Sequence, residues 1–389
     1  MLVGIELINY ALFSHLTLGL TESALDSVKT EDEVAKHFPL GQLVAIVGRS
    51  DSGKSTLFDA LHFLSDCLIH DVPYAAASAG RGGFFELRRK NGDGPMRLRL
   101  LFKQGSGNYI AYDVALNADL HNRPFVESER VKKASFGPDG VDWTDVLNVQ
   151  NSTGTVLGIA APEAVSLVDG RHLALASYGR LLNYTTLCFL YAQISRWFVS
   201  SDRTMADQAV GRTKGGHRHI SPRFDNIRNV LQYWESDDPK KYNQLIDYIK
   251  ERVPDFKRTG DAFLDHDVRS GSMRLFALIL LLMDPKPRPL VCLDHPDTNL
   301  YHDAIDMLTF EMREYLRRNA GCQVFLTTYN ANTIENLRPS EVYLFSRRME
   351  NGLAMAHAVG RSETVKAMLK EGIGMSAIWY GGYFEPDMP

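Results

Sequence analysis

The stretch Gly48-Arg49-Ser50-Asp51-Ser52-Gly53-Lys54-Ser55-Thr56 sets two glycines five residues apart, with a lysine and a serine directly after the second. Glycines at that spacing let a backbone curl until successive N–H groups converge, which is how a chain cradles a polyphosphate. Lys54 adds a full positive charge, and the Ser55 hydroxyl can enter the coordination shell of magnesium. The chemistry of Gly48 to Thr56 is therefore to hold the phosphates of a nucleotide. A matching group lies far downstream. Leu290-Val291-Cys292-Leu293-Asp294 is an apolar run ending in a carboxylate, the kind that holds magnesium beside a nucleotide, and His295 follows it.

These residues need a strand, a loop and a helix to position them. Leu43 to Val47 is a short apolar run that reads as the strand, and Leu57, Ala60, Leu61, Leu64 and Leu68 then recur at helical spacing. Ahead of this unit, Met1 to Leu20 alternates as paired strands do, and a charged connection runs from Glu22 to His37. After the glycine-rich turn Ala79 to Gly83, Met96 to Leu100 and Tyr109 to Leu116 predict an antiparallel hairpin closed through Gly105 to Asn108. The region 120–160 reads as further strands and long loops. From about 163 to 255 the pattern predicts helices, including one opened by Asp238-Pro239 with Tyr242, Leu245, Ile246, Ile249 and Val253 on one face. Ser201 to Arg223 is polar and reads as a loop. From 271 onward, helices at 272–283, 303–318 and 331–336 alternate with strands at 289–293, 322–328 and 341–346, the pattern of a largely parallel α/β sheet. The expected division is an N-terminal lobe (1–160) with the phosphate loop and an antiparallel β subdomain, an inserted helical subdomain or lid (161–260), a C-terminal lobe (261–350) and a tail (351–389).

Composition narrows the partners. Across 389 residues the net charge is −4, so no global field draws nucleic acid, and any such contact needs a local patch. The basic stretch 212–223 is the one candidate, and it reads as an exposed loop. Cys67, Cys188, Cys292 and Cys322 are scattered within apolar runs, as buried thiols of a reducing cytoplasm would be. The apolar run Leu275 to Met283 is too short to span a bilayer, which argues against a membrane role. His217, His219, His266, His295 and His302 read as separate solvated residues rather than as a metal cluster.

Taken in order, the motifs resemble those of the ABC-type ATPases of the SMC, RecF and OLD group, often labelled AAA-family ATPases. More narrowly, the chain is similar to the bacterial stand-alone ATPases of that group found near anti-phage genes. The resemblance is carried by Ile5-Glu6-Leu7-Ile8-Asn9-Tyr10, by His219-Ile220-Ser221-Pro222, and by Val268-Arg269-Ser270-Gly271-Ser272-Met273-Arg274. Phe325-Leu326-Thr327-Thr328-Tyr329-Asn330 and the tail Ile373 to Trp379 complete it. It implies a P-loop NTPase fold of the ABC/SMC-head type, with ATP and Mg2+ as cofactors. It also implies a head-to-tail homodimer or heterodimer, in which Ser270 and Gly271 close on the γ-phosphate held by the partner, and an effector protein that reads the closed state.

The family pattern assigns Gly53 and Lys54 to the β- and γ-phosphates, and Ser55 and Asp294 to magnesium. Three positions depart from it. His295 stands where the family has a catalytic glutamate, Tyr329 where it has a switch histidine, and Arg269 where it has a serine, with Ser270 adjacent. An imidazole can accept a proton near neutrality, which makes His295 the candidate base, but tyrosine cannot supply a cationic contact. Losing one such group typically slows a reaction by ~10²–10⁴. The expected function is an ATP-driven dimerisation switch with slow hydrolysis, acting in anti-phage defence or a DNA-linked process. The alternative is a pseudo-ATPase that binds ATP without efficient hydrolysis and serves as a regulatory or scaffolding module.

Overall fold

The computed structural model describes residues 1–90, 92–138, 140–159, 161–200, 218–266, 270–347 and 354–385. Its strands in chain order are β1 (Leu2–Tyr10), β2 (Phe13–Gly19), β3 (Leu43–Val47), β4 (Met96–Lys103), β5 (Asn108–Ala118), β6 (Pro124–Gly137) and β7 (Gly140–Gln150). They continue as β8 (Thr153–Leu157), β9 (Pro162–Ser166), β10 (Phe198–Ser200), β11 (Leu290–Leu293), β12 (Gln323–Thr328), β13 (Val342–Arg347) and β14 (Ala354–Ala358). Two sheets result. One is antiparallel, in the order β2-β1-β4-β5-β6-β7-β8-β9, and the other runs β10-β11-β12-β3-β13-β14. In the second sheet every pair is parallel except β13–β14.

Strand β3 sits at the centre of the second sheet, and all five of its residues are buried. Val44 and Ile46 face a core shared with the antiparallel sheet, while Leu43, Ala45 and Val47 face a helical layer. A strand covered on both faces has no reason to alternate, hence its unbroken apolar run. Helix Lys54–Ile69 lies between the two sheets. The predicted face Leu57, Ala60, Leu61, Leu64 and Leu68 is buried, and so are Phe58, Phe63 and Cys67 on its other sides. Each large apolar side chain so covered contributes roughly 1.5–3 kcal/mol. On the opposite face of the sheet pack helices Ile227–Asp237, Pro239–Arg252, Gly271–Leu282 and His302–Arg318. The Asp238 carboxylate caps the second of these by accepting the Lys241 N–H at 3.1 Å, as its spacing predicts.

A buried acid joins the antiparallel sheet to the chain that covers its inner face. Glu129 of β6 is fully enclosed and accepts the Tyr112 hydroxyl at 2.8 Å, the Ala174 N–H at 2.5 Å and the Leu175 N–H at 3.1 Å. Burial pushes its carboxyl up to about 7, against the pull of those three donors.

Several local expectations are corrected. The region 120–160 holds long strands rather than long loops, with Asp142, Asp145 and Asn148 inside β7 itself; Asn151 and Ser152, both at positive φ, make the tight turn into β8. The helical reading from 163 misses β9, and it misses β10, which returns to pair Ser200 with Leu293 at the edge of the second sheet. A three-residue strand is too short to show a period. The charged connection contains a helix, Glu22–Asp26, capped by the Thr21 hydroxyl. Cys188 is half-exposed, its thiol donating to the Leu181 carbonyl, whereas the other three cysteines are buried. His219 is not simply solvated, since its Nδ1 lies 2.9 Å from the buried Asp284 carboxylate. Among the described residues no helix is long and apolar enough to cross a membrane.

Candidate nucleotide site

The loop after β3 is shaped by contacts that leave no room for side chains. Gly48 has φ of +148°, and a Cβ there would meet the Phe345 carbonyl oxygen of β13 at 2.2 Å. Arg49, Ser50 and Asp51 form the exposed crest, with Asp51 at positive φ, and Ser52, Gly53 and Lys54 turn inward and are buried. Gly53 opens the helix without any side-chain cap, and the first internal helix bond is Leu57 N–H to Gly53 C=O at 3.1 Å. The N–H groups of Lys54, Ser55 and Thr56 therefore have no partner within the helix, and they lie at its positive end. Ser55 is exposed at this mouth and Thr56 is half-buried.

Lys54 folds back over the loop. Its ammonium donates to the Gly48 and Arg49 carbonyls, each at 2.9 Å. Burial lowers its pKa, and the nearby Asp294 and Asp51 carboxylates oppose that shift. Asp294 follows β11, two strand positions from β3, or about 10 Å across the sheet. It is buried and accepts the Thr327 hydroxyl at 2.5 Å.

His295 comes next, half-buried and at φ of +47°, with its Nδ1 enclosed and unpartnered. Its ring lies 4.9 Å from that of Tyr329, which is 60% exposed. The loop continues to Asp297, which is buried and accepts the Thr328 and Thr333 hydroxyls. Two tandem threonines at the end of β12 thus each hold one acid of the 294–297 loop.

Helix Gly271–Leu282 reaches the same loop. Ser270 is exposed at its start, and a Cβ on Gly271 would meet the Asn299 carbonyl oxygen at 2.4 Å. Arg274 is fully buried and donates to the His295 carbonyl at 2.7 Å and the Pro296 carbonyl at 3.2 Å. Among the described residues no hydrogen bond ties Ser270 or Gly271 to the loop 48–56; within one chain the start of this helix packs on the Asp294 loop instead. Arg269 and the basic positions 212–217 lie outside the described residues. Nearby, Arg218 stacks on Tyr233 and Arg223 sits 3.7 Å from Asp225.

The donor set fits a magnesium-bound nucleoside triphosphate. Only five buried side-chain atoms lack a partner among the described residues, and two of them, Ser52 Oγ and His295 Nδ1, belong to the loops after β3 and β11. Sequence reasoning passed over Thr327 and Arg274. The signal for Arg274 was a lone cation in the first turn of a helix whose next eight residues are all apolar.

The sequence profile of the family described as "AAA domain, putative AbiEii toxin, Type IV TA system" matches residues 43–145 and 199–335, well over half of the chain. The chain belongs to this AAA family. Its fold is that of a nucleotide-binding ATPase of this family. Solved structures overlay loosely on it. The Smc head bound to the C-winged helix domain of ScpA is 13% identical with a TM-score of 0.48, covering 92% of this chain and 97% of that one. The SMC head domain from Thermotoga maritima is 12% identical with a TM-score of 0.40, covering 92% and 98%. An Smc head domain with an extended coiled coil, bound to the C-terminal domain of ScpA derived from Pyrococcus furiosus, is also 12% identical at 0.40. No curated protein matches.

Proposed function

We propose that this AAA-family member is an ATP-dependent dimerisation switch that hydrolyses ATP slowly. The observation that carries the reading is the pairing of a complete phosphate loop with Asp294 two strands away, where Lys54 feels the Asp294 charge. The free N–H groups at the start of helix Lys54–Ile69, the Lys54 ammonium and the Ser52 hydroxyl would bind the β- and γ-phosphates. Ser55 and Asp294 would hold magnesium, which when bound offsets the charge on the phosphate oxygens. The Lys54 ammonium would exchange its two carbonyl partners for phosphate oxygens, so the loop is preorganised around a cation already in place.

His295 is the candidate base and would take the proton of an attacking water. Tyr329 offers that water or the γ-phosphate a hydroxyl in place of a charge. Ser270 and Gly271, exposed and half-exposed at the start of helix Gly271–Leu282, are the groups a second chain's nucleotide would meet, giving a homodimer or heterodimer read by an effector protein. Membership in a family described as a putative toxin of a type IV toxin–antitoxin system is the ground for proposing a defence role.

One observation favours a second reading, a pseudo-ATPase. The switch position is an exposed neutral tyrosine, and the base is an imidazole with one nitrogen already enclosed. Phosphate release by the pure protein, measured beside its size with and without ATP, separates the two. Release abolished by Lys54→Ala and weakened by His295→Ala supports the switch. Background release with ATP still driving dimers supports the pseudo-ATPase. Nucleotide affinity unchanged by Lys54→Ala sinks both.

A further inference from the structure

We infer that Thr327 and Arg274 are positioning residues that clamp the His295 backbone from both sides and, through Thr327, fix the Asp294 carboxylate against it; the inference rests on the nucleotide reading above. His295 occupies the left-handed region, which for a residue with a Cβ costs about 1–2 kcal/mol. A conformation of that kind persists only where neighbours over-determine it.

Both polar groups of the His295 backbone are held. Its N–H donates to Thr327 Oγ1 at 2.9 Å, and its carbonyl accepts Arg274 Nη2 at 2.7 Å. The Arg274 Nε takes the next carbonyl, Pro296, at 3.2 Å, so the guanidinium spans the turn. The Thr327 hydroxyl gives its own proton to Asp294 Oδ1 at 2.5 Å while a lone pair receives the His295 N–H. One oxygen therefore sets the distance between the metal-holding acid and the candidate base. Thr327 is 0% and Arg274 1% exposed, so neither can exchange these partners for water without opening the core.

The consequence is selectivity for the magnesium-bound triphosphate. Asp294 and His295 follow β11 rather than belonging to the loop that grips the phosphates, so a loosened clamp weakens binding of the magnesium-bound triphosphate and leaves binding of metal-free diphosphate, which needs only the loop, in place. A residue that merely supported the fold would weaken both equally.

The test is binding of AMP-PNP with Mg2+ and of ADP without metal to wild type, Thr327→Val, Thr327→Ser and Arg274→Lys, with melting curves to confirm folding. Thr327→Val keeps the volume and removes the hydroxyl; losing two hydrogen bonds, one to a charged group, should weaken Mg–AMP-PNP about tenfold or more. Metal-free ADP affinity should move by less than about twofold, and Thr327→Ser should return the wild-type preference. Arg274→Lys, which offers a single ammonium in place of a planar fork, should follow Thr327→Val. If it does not fold, the two Thr327 variants decide alone. A serine variant as weak as the valine, or equal losses for both nucleotides, overturns the clamp. Failure of the wild type to bind either nucleotide overturns the nucleotide reading, and the clamp with it.

Discussion

Replacing Glu129 with glutamine should change how the stability of the protein depends on pH. The carboxyl lies fully inside the core and is pushed up from its ordinary 4.5 to about 7, with desolvation outweighing the Tyr112, Ala174 and Leu175 donors. In the unfolded chain it loses its proton near 4.5, whereas in the folded chain it keeps it until about 7. The folded state thus binds more protons between those values, and stability falls as pH rises through that window. It is full below 4.5, lost progressively to about 7 and flat above. A shift of this size, at 1.36 kcal/mol per unit, is worth about 3 kcal/mol.

Glutamine has no proton to lose, so its own profile lacks this component, and every other titrating group is common to both proteins. The assay is urea unfolding of wild type and Glu129→Gln at several pH values from 4.5 to 8. Glutamine places an amide where Glu129 receives a donor, so an offset at the acid end is expected. The quantity that matters is the change in the difference with pH, about 3 kcal/mol in favour of the variant on going to pH 8. A difference that stays constant across the range would show that Glu129 ionises in the folded protein as it does in water, and would refute the reasoning.

Further outcomes follow from the site and its supports. Lys54→Ala should weaken ATP binding by at least about tenfold, as loss of a charge-assisted contact does, measured with a fluorescent ATP analogue. His295→Ala should lower single-turnover phosphate release by ~10²-fold while leaving ATP affinity nearly intact. Gly48→Ala drives a methyl onto the Phe345 carbonyl and should cost about 2 kcal/mol or more in stability, seen as a lower melting temperature together with lost nucleotide binding. Arg81, whose side chain is 1% exposed, bridges Asp59 and Asp66 of helix Lys54–Ile69 at 2.8 Å each. Arg81→Met leaves both carboxylates without that cation and should cost about 2–4 kcal/mol, read by chemical denaturation.

How much of this was legible in the sequence differs from segment to segment. The unit from Leu43 to Leu68 could be read because a doubly covered strand, a glycine loop and an amphipathic helix each leave a local pattern. The hairpin of β4 and β5 showed its period of two for the same reason. β10 did not, since its three residues matter only through partners ninety positions later, where Ser200 meets Leu293. The long strand β7 was hidden because Asp142, Asp145 and Asn148, residue types that favour turns, lie within it. At the site, Asp294 and His295 were visible as a strand end. The left-handed turn at His295, the Thr327 hydroxyl between two groups and the reach of Arg274 depend on residues brought together from 21 and 32 positions away, and no local pattern records them.

The place of β3 in its sheet also sets an order on how the protein can be made. Both of its neighbours, β12 and β13, are supplied by residues 323–347, while β3 itself ends at Val47. During synthesis at ~5–20 residues per second, the strand that carries the phosphate loop waits roughly 15–60 seconds for its first partner. The antiparallel sheet draws all its strands from the first 166 residues and can assemble in that interval. A truncated nascent chain could therefore own a finished sheet and an intact glycine loop and still be unable to grip a nucleotide. Competence to bind arrives almost last, with the strands that close around β3.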